Sequence, residues 1–288
     1  MRDVDALDWT SRPSLDRPVM LAAFEGWTDA GGAATCAVGY LAEQWHSHAF
    51  ASIDPEDFYD FTSVRPQVRL GTDNQREIVW PQNRFLSGRT QEGRDVVLLL
   101  GVEPQLRWRT FGQCVTSVAE SLGVEAVFTF GAMLTDVPHT RATPVRVSSA
   151  DPGLALRFGL SAPRYQGPTG IVGVLQHAFA KVGIPVASLM AQVPHYVPST
   201  PSPKAALALV RRISTMLEMS VKTSSLEWAA ARYEREVSEV VAADDDIASY
   251  VRQLERRADG GELGDMVNGD NLVEELERFL REQGGSQS

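Results

Sequence analysis

Residues 19–32 read VMLAAFEGWTDAGG and give the strongest indication of the fold. The first six are a continuous apolar run of strand length, and residues 32–45 have the spacing of an amphipathic helix. A strand that is apolar on both faces is typical of a sheet covered by helices on both sides. The loop at 25–32 would then lie at the carboxyl end of a strand, which is where open α/β sheets bind ligands.

The same alternation of apolar runs and amphipathic stretches continues to about residue 200. Strands are predicted at residues 19–24, 95–100, 126–130, 145–148 and 186–190. Helices are predicted at residues 32–45, 105–122, 170–182 and 205–219, the last with Ser202 as N-cap and Pro203 at its first position. Strands that alternate with helices predict a mostly parallel sheet. Residues 50–87 fit less well, and their runs FYDFTSV, QVRL and REIVW predict edge strands with turns.

Composition excludes several classes of protein. The 288 residues, 43% of them hydrophobic, are enough for one large α/β domain or a domain with an appendage. No apolar run approaches the roughly 20 residues of a membrane span, and a net charge of −10 argues against a nucleic-acid surface. Cys36 and Cys114 form no metal-spaced pair, and the first residues lack the layout of a secretory signal. We therefore expect a cytoplasmic protein without membrane or nucleic-acid partners.

The negative charge is concentrated in the last fifth of the chain. Residues 1–223 hold 20 Lys and Arg against 21 Asp and Glu, whereas residues 224–288 hold 7 against 16. This break predicts an α/β core domain at 1–223 and an acidic helical region at 224–288.

Apolar spacing predicts that the acidic region is helical. A capping-box spacing at residues 224–227 starts it, and a last helix is predicted from Leu272, Leu276, Phe279 and Leu280. Two interpretations stay open. The helices could pack on their own domain with a solvated acidic face, which is the more frequent case, or they could form a module that binds a partner or another subunit.

A parallel sheet would bring polar residues from several strand ends to one rim. The candidate site residues on this rim are Glu25, Gly26, Trp27, Asp29, Gly31, Gly32, Glu103, Trp108, Asp136, His139, Arg141, His195 and Tyr196. Histidines and carboxylates in one place could serve acid–base chemistry or a metal. Each could instead be structural, because Asp29 could cap the first helix, Glu103 could cap the helix that follows it, and Asp136 could close a turn.

Motifs that would identify an enzyme are missing. The sequence has no GxGxxG, P-loop, HExxH or nucleophile elbow, and it has three lysines against 24 arginines. We therefore predict no catalytic residues, no metal and no cofactor. A small-molecule-binding protein, or a hydrolase or ATP-dependent ligase that uses the rim, remains the alternative.

Four segments together resemble a known family. They are LAAFEGWTDAGGAA at 21–34, GVEP at 101–104 with Trp108, PHTR at 138–141 and PHYV at 194–197. In this order the chain resembles the proteasome assembly chaperone family in its actinobacterial form, over roughly residues 18–255. The resemblance implies a three-layer α/β/α domain of the phosphorylase/hydrolase-like type that forms homo-oligomers, for which we take a trimer as the working expectation.

The resemblance also implies a function. It implies a non-catalytic assembly chaperone or adaptor that acts by protein–protein binding and has proteasome subunits among its partners. Some relatives carry an ATP-grasp carboligase label, which this sequence supports poorly because it lacks a glycine-rich ATP loop.

Overall fold

The computed structural model describes residues 6–71, 74–197 and 201–261. The strands of this part are β1 (Leu7–Trp9), β2 (Val19–Glu25), β3 (His48–Ile53), β4 (Gln67–Leu70), β5 (Arg76–Val79), β6 (Asn83–Arg89), β7 (Asp95–Val102), β8 (Ala126–Thr135), β9 (Val145–Ser148) and β10 (Val186–Pro194). The α-helices are α1 (Ala33–Gln44), α2 (Trp108–Ser121), α3 (Pro152–Phe158), α4 (Ile171–Lys181), α5 (Pro203–Leu217), α6 (Ser224–Ala242) and α7 (Asp245–Asp259). A short 3-10 turn at Ala30–Gly32 precedes α1.

Eight of these strands form one mixed sheet in the order β1-β3-β6-β7-β2-β8-β10-β9. The centre is parallel, because β7 pairs with β2, β2 with β8, and β8 with β10 in the same direction. The flanking pairings are antiparallel, so the prediction of a mostly parallel sheet is wrong. For β6 and β7 the reason is local, since a tight turn joins them, with Thr90 N–H bonding Arg94 O at 2.9 Å, and so short a turn joins antiparallel strands.

Helices cover both faces of the sheet. Alternate side chains of β2 point to opposite faces, as they must in a strand. Val19, Leu21 and Ala23 are buried in a core with residues of α1 and α5, whereas Met20, Ala22 and Phe24 are buried in a second core with residues of α2 and α4. This confirms the three-layer α/β/α fold and explains why β2 is apolar at every position but its last.

Helix starts follow local chemistry, with one correction. The Ser202 side chain accepts a hydrogen bond from Ala205 N–H at 3.4 Å and Pro203 begins α5, as predicted. The N-cap of α6 is Thr223 rather than Ser224, and its hydroxyl donates to Glu227 Oε1 at 2.8 Å. The helix predicted from Leu272 to Leu280 lies outside the described residues. In the part of the chain that is described, no helix is long and apolar enough to cross a bilayer.

The two acidic helices α6 and α7 pack on the α/β layers. Leu226 and Ala230 of α6 are buried in the same core as α1 and α5. Further along α6, Tyr233, Val237 and Val241 form a small cluster with Val251 of α7, and Tyr196 and Val197 pack against it. The boundary between residues 223 and 224 stays a prediction, which a substitution considered in the Discussion tests.

The segment between β3 and β6 holds a separate hairpin. β4 and β5 pair with each other in a two-stranded sheet, with Val68 opposite Ile78 and Arg69 opposite Glu77. QVRL and REIV are strands as predicted. In FYDFTSV at residues 58–64 the strand prediction is wrong, because turns form there, held by the Asp60 side chain, which accepts from Thr62 N–H at 2.9 Å.

Candidate functional site

The predicted rim residues follow the parallel strands at one edge of the sheet, which we call the strand-end edge. The structure divides them into two groups. The open half comprises Glu25, Gly26, Trp27, Glu103 and Trp108, at the ends of β2 and β7. The closed half comprises Asp136, His139, Arg141, His195 and Tyr196, after β8 and β10 and beside α6 and α7. Asp29, Gly31 and Gly32 belong to the turn that starts α1.

Glu103 is the central residue of the open half. Its Oε2 accepts from Trp27 N–H at 3.2 Å and its Oε1 accepts from Ile171 N–H at 2.7 Å. It therefore caps α4, the helix that begins 68 residues later, rather than α2, which directly follows it. Glycines make room on both sides, since a Cβ on Gly26 would lie 2.9 Å from Glu103 Cβ and one on Gly170 would lie 2.6 Å from Oε1.

A small crevice opens above Glu103. It has a volume of about 230 Å³ and is lined by Trp27, Glu103, Trp108 and the segment Pro168, Thr169 and Gly170. Trp27 is 46% exposed, and the indole N–H of Trp108 donates to Pro104 O at 2.5 Å. The walls of this crevice are therefore indoles and backbone, and its charged group is a carboxylate.

Asp29 is used for structure. It is buried, and its Oδ1 accepts from Ala34 N–H at 2.7 Å, while Oδ2 accepts from the Thr35 hydroxyl. Burial raises the pKa of Asp29 above its ordinary value, and the hydrogen bonds from Thr35 and Ala34 oppose that rise. Gly31 and Gly32, at φ of 60° and 59°, supply the left-handed backbone of the turn. This turn starts α1 and leaves Asp29 little capacity to bind a ligand.

In the closed half, His139 is buried in a chain of hydrogen bonds. Its backbone N–H donates to the Tyr196 hydroxyl at 2.8 Å, and Nδ1 lies 2.8 Å from the same oxygen. Nε2 lies 3.0 Å from Ser238 Oγ, and that hydroxyl donates to Glu234 O at 2.7 Å. Every group is satisfied if Tyr196 donates to Nδ1 and Nε2–H donates to Ser238, which is the neutral histidine.

The surroundings of His139 favour that neutral form. Burial lowers the pKa of His139, and the nearby positive charge of Lys204 lowers it further. Glu234 and Glu255 oppose this effect without overcoming it. Lys204 also donates to the carbonyl oxygen of His139 and to Glu234, so it joins the loop after β8 to α6. His139 thus links the loop after β8 to α5, through Lys204, and to α6, through Ser238. It is not placed as an exposed acid or base.

His195 and Asp136 approach each other on the surface beside this network. His195 Nδ1 lies 3.2 Å from Asp136 Oδ1, but the two are not aligned for a hydrogen bond. Asp136 Oδ1 instead accepts from the Tyr250 hydroxyl of α7 at 3.2 Å. The rings of Tyr196 and Tyr250 pack edge-on to His195. The structure therefore brings one histidine and one carboxylate together, on a surface rather than in the crevice.

Arg141 completes the contacts to α7. Its guanidinium bonds both oxygens of Asp259, at 2.8 and 2.9 Å, and lies 3.3 Å from Glu255. Arg141 holds the pKa of Asp259 below its usual range. Thr140 donates to the same Glu255 side chain. The PHTR segment therefore binds α7 through its last two residues.

The partners of these residues are not predictable from the sequence pattern. Ser238, Tyr250, Glu255 and Asp259 lie 99 to 118 residues from the rim positions that they contact. Their signal was present as polar positions on predicted helices, but no local rule assigns such positions to a particular loop. Among the described residues, no group of three or more His, Cys, Asp or Glu could hold a metal ion. A larger hollow of about 420 Å³ lies elsewhere, beyond the C-terminal end of α5, which is at the opposite edge of the sheet.

The geometry defines a three-layer α/β/α protein whose strand-end residues mainly make internal contacts. Comparison with known proteins identifies its family. The model of the PAC2 family matches residues 23–241, and the chain belongs to the PAC2 family. The comparison with curated proteins found no match.

Solved structures agree with this assignment. A PAC2 family protein from Streptomyces avermitilis is 45% identical, with a TM-score of 0.77 over 81% of this chain and 99% of the other. The proteasome-assembly chaperone homologue Rv2125 of Mycobacterium tuberculosis is 44% identical, with a TM-score of 0.74 over 81% and 99% of the two chains. PbaB, an archaeal proteasome activator from Pyrococcus furiosus, shares the fold at 15% identity, with a TM-score of 0.67 over 81% and 97%.

Proposed function

We propose that this chain acts in proteasome assembly by binding proteasome subunits, without catalysing a reaction. The observation that carries the proposal is the 44% identity to the M. tuberculosis proteasome-assembly chaperone homologue, over 99% of that chain. The match covers 81% of this chain, so the two proteins share a fold, and a shared partner is what we propose.

The contacts at the strand-end edge support a non-catalytic function. A catalytic carboxylate or histidine needs free hydrogen-bonding capacity toward a substrate. Asp29 is committed to the start of α1 and His139 to Tyr196 and Ser238. The one histidine–carboxylate approach, between His195 and Asp136, is not aligned for a hydrogen bond, and Asp136 Oδ1 already accepts from Tyr250.

The hairpin of β4 and β5 supports protein binding. Val68, Leu70 and Ile78 lie on one face of it and are 56%, 68% and 59% exposed. An isolated two-stranded hairpin is marginally stable in water, and contiguous exposed apolar side chains mark interaction surfaces. At its base, Trp80 packs on Phe61 with ring centroids 4.8 Å apart, which joins the hairpin to the body. We propose that this apolar face contacts a proteasome subunit.

The proposal is tested by mixing the purified chain with separately purified cognate α and β proteasome subunits. Complexes are detected by size-exclusion chromatography with light scattering, and dissociation constants are measured by titration. The double variant V68S/I78S removes the apolar pair, and R69S/E77S removes the pair on the other face without changing net charge. We expect V68S/I78S to weaken binding about tenfold or more and R69S/E77S to leave it nearly unchanged.

The possible outcomes separate the parts of the proposal. Failure of the unaltered chain to bind any subunit would overturn the proposed function. Binding that both double variants weaken equally, or that neither weakens, would keep the function and overturn the assignment of the surface.

We propose in addition that the protein is a cytoplasmic homo-oligomer, with a trimer as the expected size. Cys36 and Cys114 are both free thiols in the structure, which supports a reducing compartment such as the cytoplasm. The light-scattering mass of the chain alone tests the oligomer. If V68S/I78S lowers that mass, the hairpin contacts a second copy rather than a proteasome subunit.

A further inference from the structure

The crevice of the open half lies at a switch point of the sheet. β2 and β7 are parallel neighbours. The helix after β2 is α1, whose buried residues join one core, and the helix after β7 is α2, whose buried residues join the core on the opposite face. Neighbouring strands that continue to opposite faces leave a gap between their carboxyl ends, and this gap is where open α/β sheets bind ligands.

The Glu103 carboxylate gives this gap a negative charge, and Glu25 adds a second carboxylate at the end of the adjoining strand. Glu103 forms part of the lining and Glu25 is the last residue of β2, with Glu25 O accepting from Glu103 N–H at 2.8 Å. Within residues 6–71, 74–197 and 201–261, no ion pair involves either glutamate. The nearby Arg107 pairs with Asp57 instead, at 2.5 Å. The negative charge at the crevice is therefore not neutralised by a side chain of the described part.

Two indoles form the apolar part of the wall. Trp27 is 46% exposed, although a tryptophan normally stabilises a protein most when it is buried. Trp108 is held in place by its bond to Pro104 O. Indole faces attract cations, and tryptophan does so better than the other aromatic residues.

The helix at the back of the crevice does not make it an anion site. The N-terminus of α4 points at the crevice, and such a terminus ordinarily binds phosphate. Its first N–H, that of Ile171, is already bonded to Glu103 Oε1 at 2.7 Å. A phosphate would therefore find a carboxylate in its place and would be repelled by it.

We propose that the crevice binds an alkylammonium group, from a small free amine or from a lysine side chain of a peptide. Its volume of about 230 Å³ is below the roughly 300 Å³ at which drug-sized pockets begin, so it fits one such group and its carbon chain. The ammonium lies near the Glu103 carboxylate and the carbon chain lies against the indoles. This proposal does not depend on the proposed function, since it is argued from the crevice alone and its test contains no proteasome component.

The test is ¹⁹F NMR of the full chain labelled with 5-fluorotryptophan. The six tryptophans give at most six resonances, and W27F and W108F identify two of them by their loss. Titration with n-butylammonium chloride is expected to shift these two resonances to saturation. The neutral isostere n-butanol, sodium chloride at equal ionic strength and inorganic phosphate are expected to leave them unchanged. Nα-acetyl-lysine methylamide, titrated in parallel, tells whether a lysine side chain binds more tightly than the free amine.

Variants locate the site. W27A is expected to weaken n-butylammonium binding about tenfold, and E25Q about twofold because it removes one exposed charge. W228A removes a tryptophan on α6 that is 65% exposed and already has Arg232 over its ring, and it should change nothing. The proposal is overturned if neither resonance moves, if n-butanol binds as well as the amine, if phosphate produces the same shifts, or if W27A binds as tightly as the unaltered chain.

Discussion

At the ends of β8 and β10 the polar side chains contact two helices, whereas at the ends of β2 and β7 they surround a crevice that faces solvent. Both halves contain carboxylates and aromatic rings. In the closed half His139 and Arg141 find partners on α6 and α7, and Tyr196 bonds His139. In the open half Glu103 finds its partners in the backbone of two neighbouring loops, and Trp27 stays 46% exposed.

The difference shows what decides whether polar side chains at a strand end make internal contacts or stay available to a ligand. The residue types are similar in the two halves, so they do not decide the outcome. The helices α6 and α7 supply hydrogen-bond partners that remove polar groups from water, and buried polar groups must be paired. Where neither α6 nor α7 packs, as at the crevice, the side chains keep their capacity to bind something else.

The largest effect is expected from Leu226→Ala. Leu226 of α6 is 5% exposed and packs in the core with α1 and α5. We expect the free energy of unfolding to fall by about 2–4 kcal/mol, the usual cost of removing a buried leucine side chain. Urea denaturation measures this, and Val240→Ala, at a position 64% exposed on the same helix, should change it by less than about 0.5 kcal/mol.

The same experiment tests the boundary at residue 224. A single cooperative transition that moves as a whole would mean that α6 belongs to the core domain. A separate transition that alone responds to Leu226→Ala would mean that 224–288 unfolds on its own and that the closed half is a contact between domains.

Tyr196→Phe should have the next largest effect. It removes the hydroxyl that accepts a hydrogen bond from the His139 backbone N–H and donates one to His139 Nδ1. Both of these His139 groups are then left without a partner. We expect a loss of about 1–3 kcal/mol in the free energy of unfolding. Tyr165→Phe, whose hydroxyl donates to Pro168 O at a residue 43% exposed, is the matched control. Equal losses in the two variants would contradict the distinction between the halves.

A smaller effect is expected from His139, whose protonation should make the stability of the protein depend on pH. Its pKa is lowered in the folded protein, from an ordinary value of 6.5. The unfolded chain therefore takes up a proton first as pH falls through about 6.5, and the stability contributed by neutral His139 decreases from there toward the folded pKa. Melting temperatures between pH 8 and pH 5 should fall less for His139→Gln than for the unaltered chain. His177→Gln, at an exposed position of α4, should keep the full decrease.

The sequence predicted the parts of the fold that depend on local pattern. The strand at 19–24 and the one at 95–100 are buried on both faces, and a short continuous apolar run bounded by turn residues is typical of such a strand. β3 and β6 were not predicted as strands of the main sheet, since their half-exposed positions give weaker patterns. Their antiparallel pairing next to β7, together with the antiparallel edge strands β1 and β9, makes the sheet mixed.

The sequence predicts which residues lie at the strand ends, but it does not predict which residues they contact. That Glu103, His139 and Tyr196 follow strands is visible in the sequence. Local capping rules connect Glu103 to the helix beside it, whereas the structure connects it to Ile171, which follows α2, β8, β9 and α3 in the chain. Such a contact depends on how the helix layers pack, and a single sequence does not contain that information in any local pattern.

The smallest effect is expected from Arg141→Ala. The side chains of Arg141 and Asp259 are 40% and 58% exposed, so their bidentate pair is largely hydrated. We expect the free energy of unfolding to fall less than in Leu226→Ala or Tyr196→Phe, and less again in high salt, because exposed ion pairs contribute little and are screened. A loss as large as that of Tyr196→Phe would mean that α7, rather than the buried network of His139, holds the closed half together.

Hydrogen exchange at two backbone amides tests the contrast between the halves most directly. The Trp27 N–H donates to Glu103 at 3.2 Å beside the solvent-facing crevice, and the His139 N–H donates to Tyr196 at 2.8 Å beneath α6. We predict that the His139 amide exchanges through opening of the α6 packing, orders of magnitude more slowly than the Trp27 amide. Equal exchange rates at the two amides, or faster exchange at His139, would contradict a closed half and an open half.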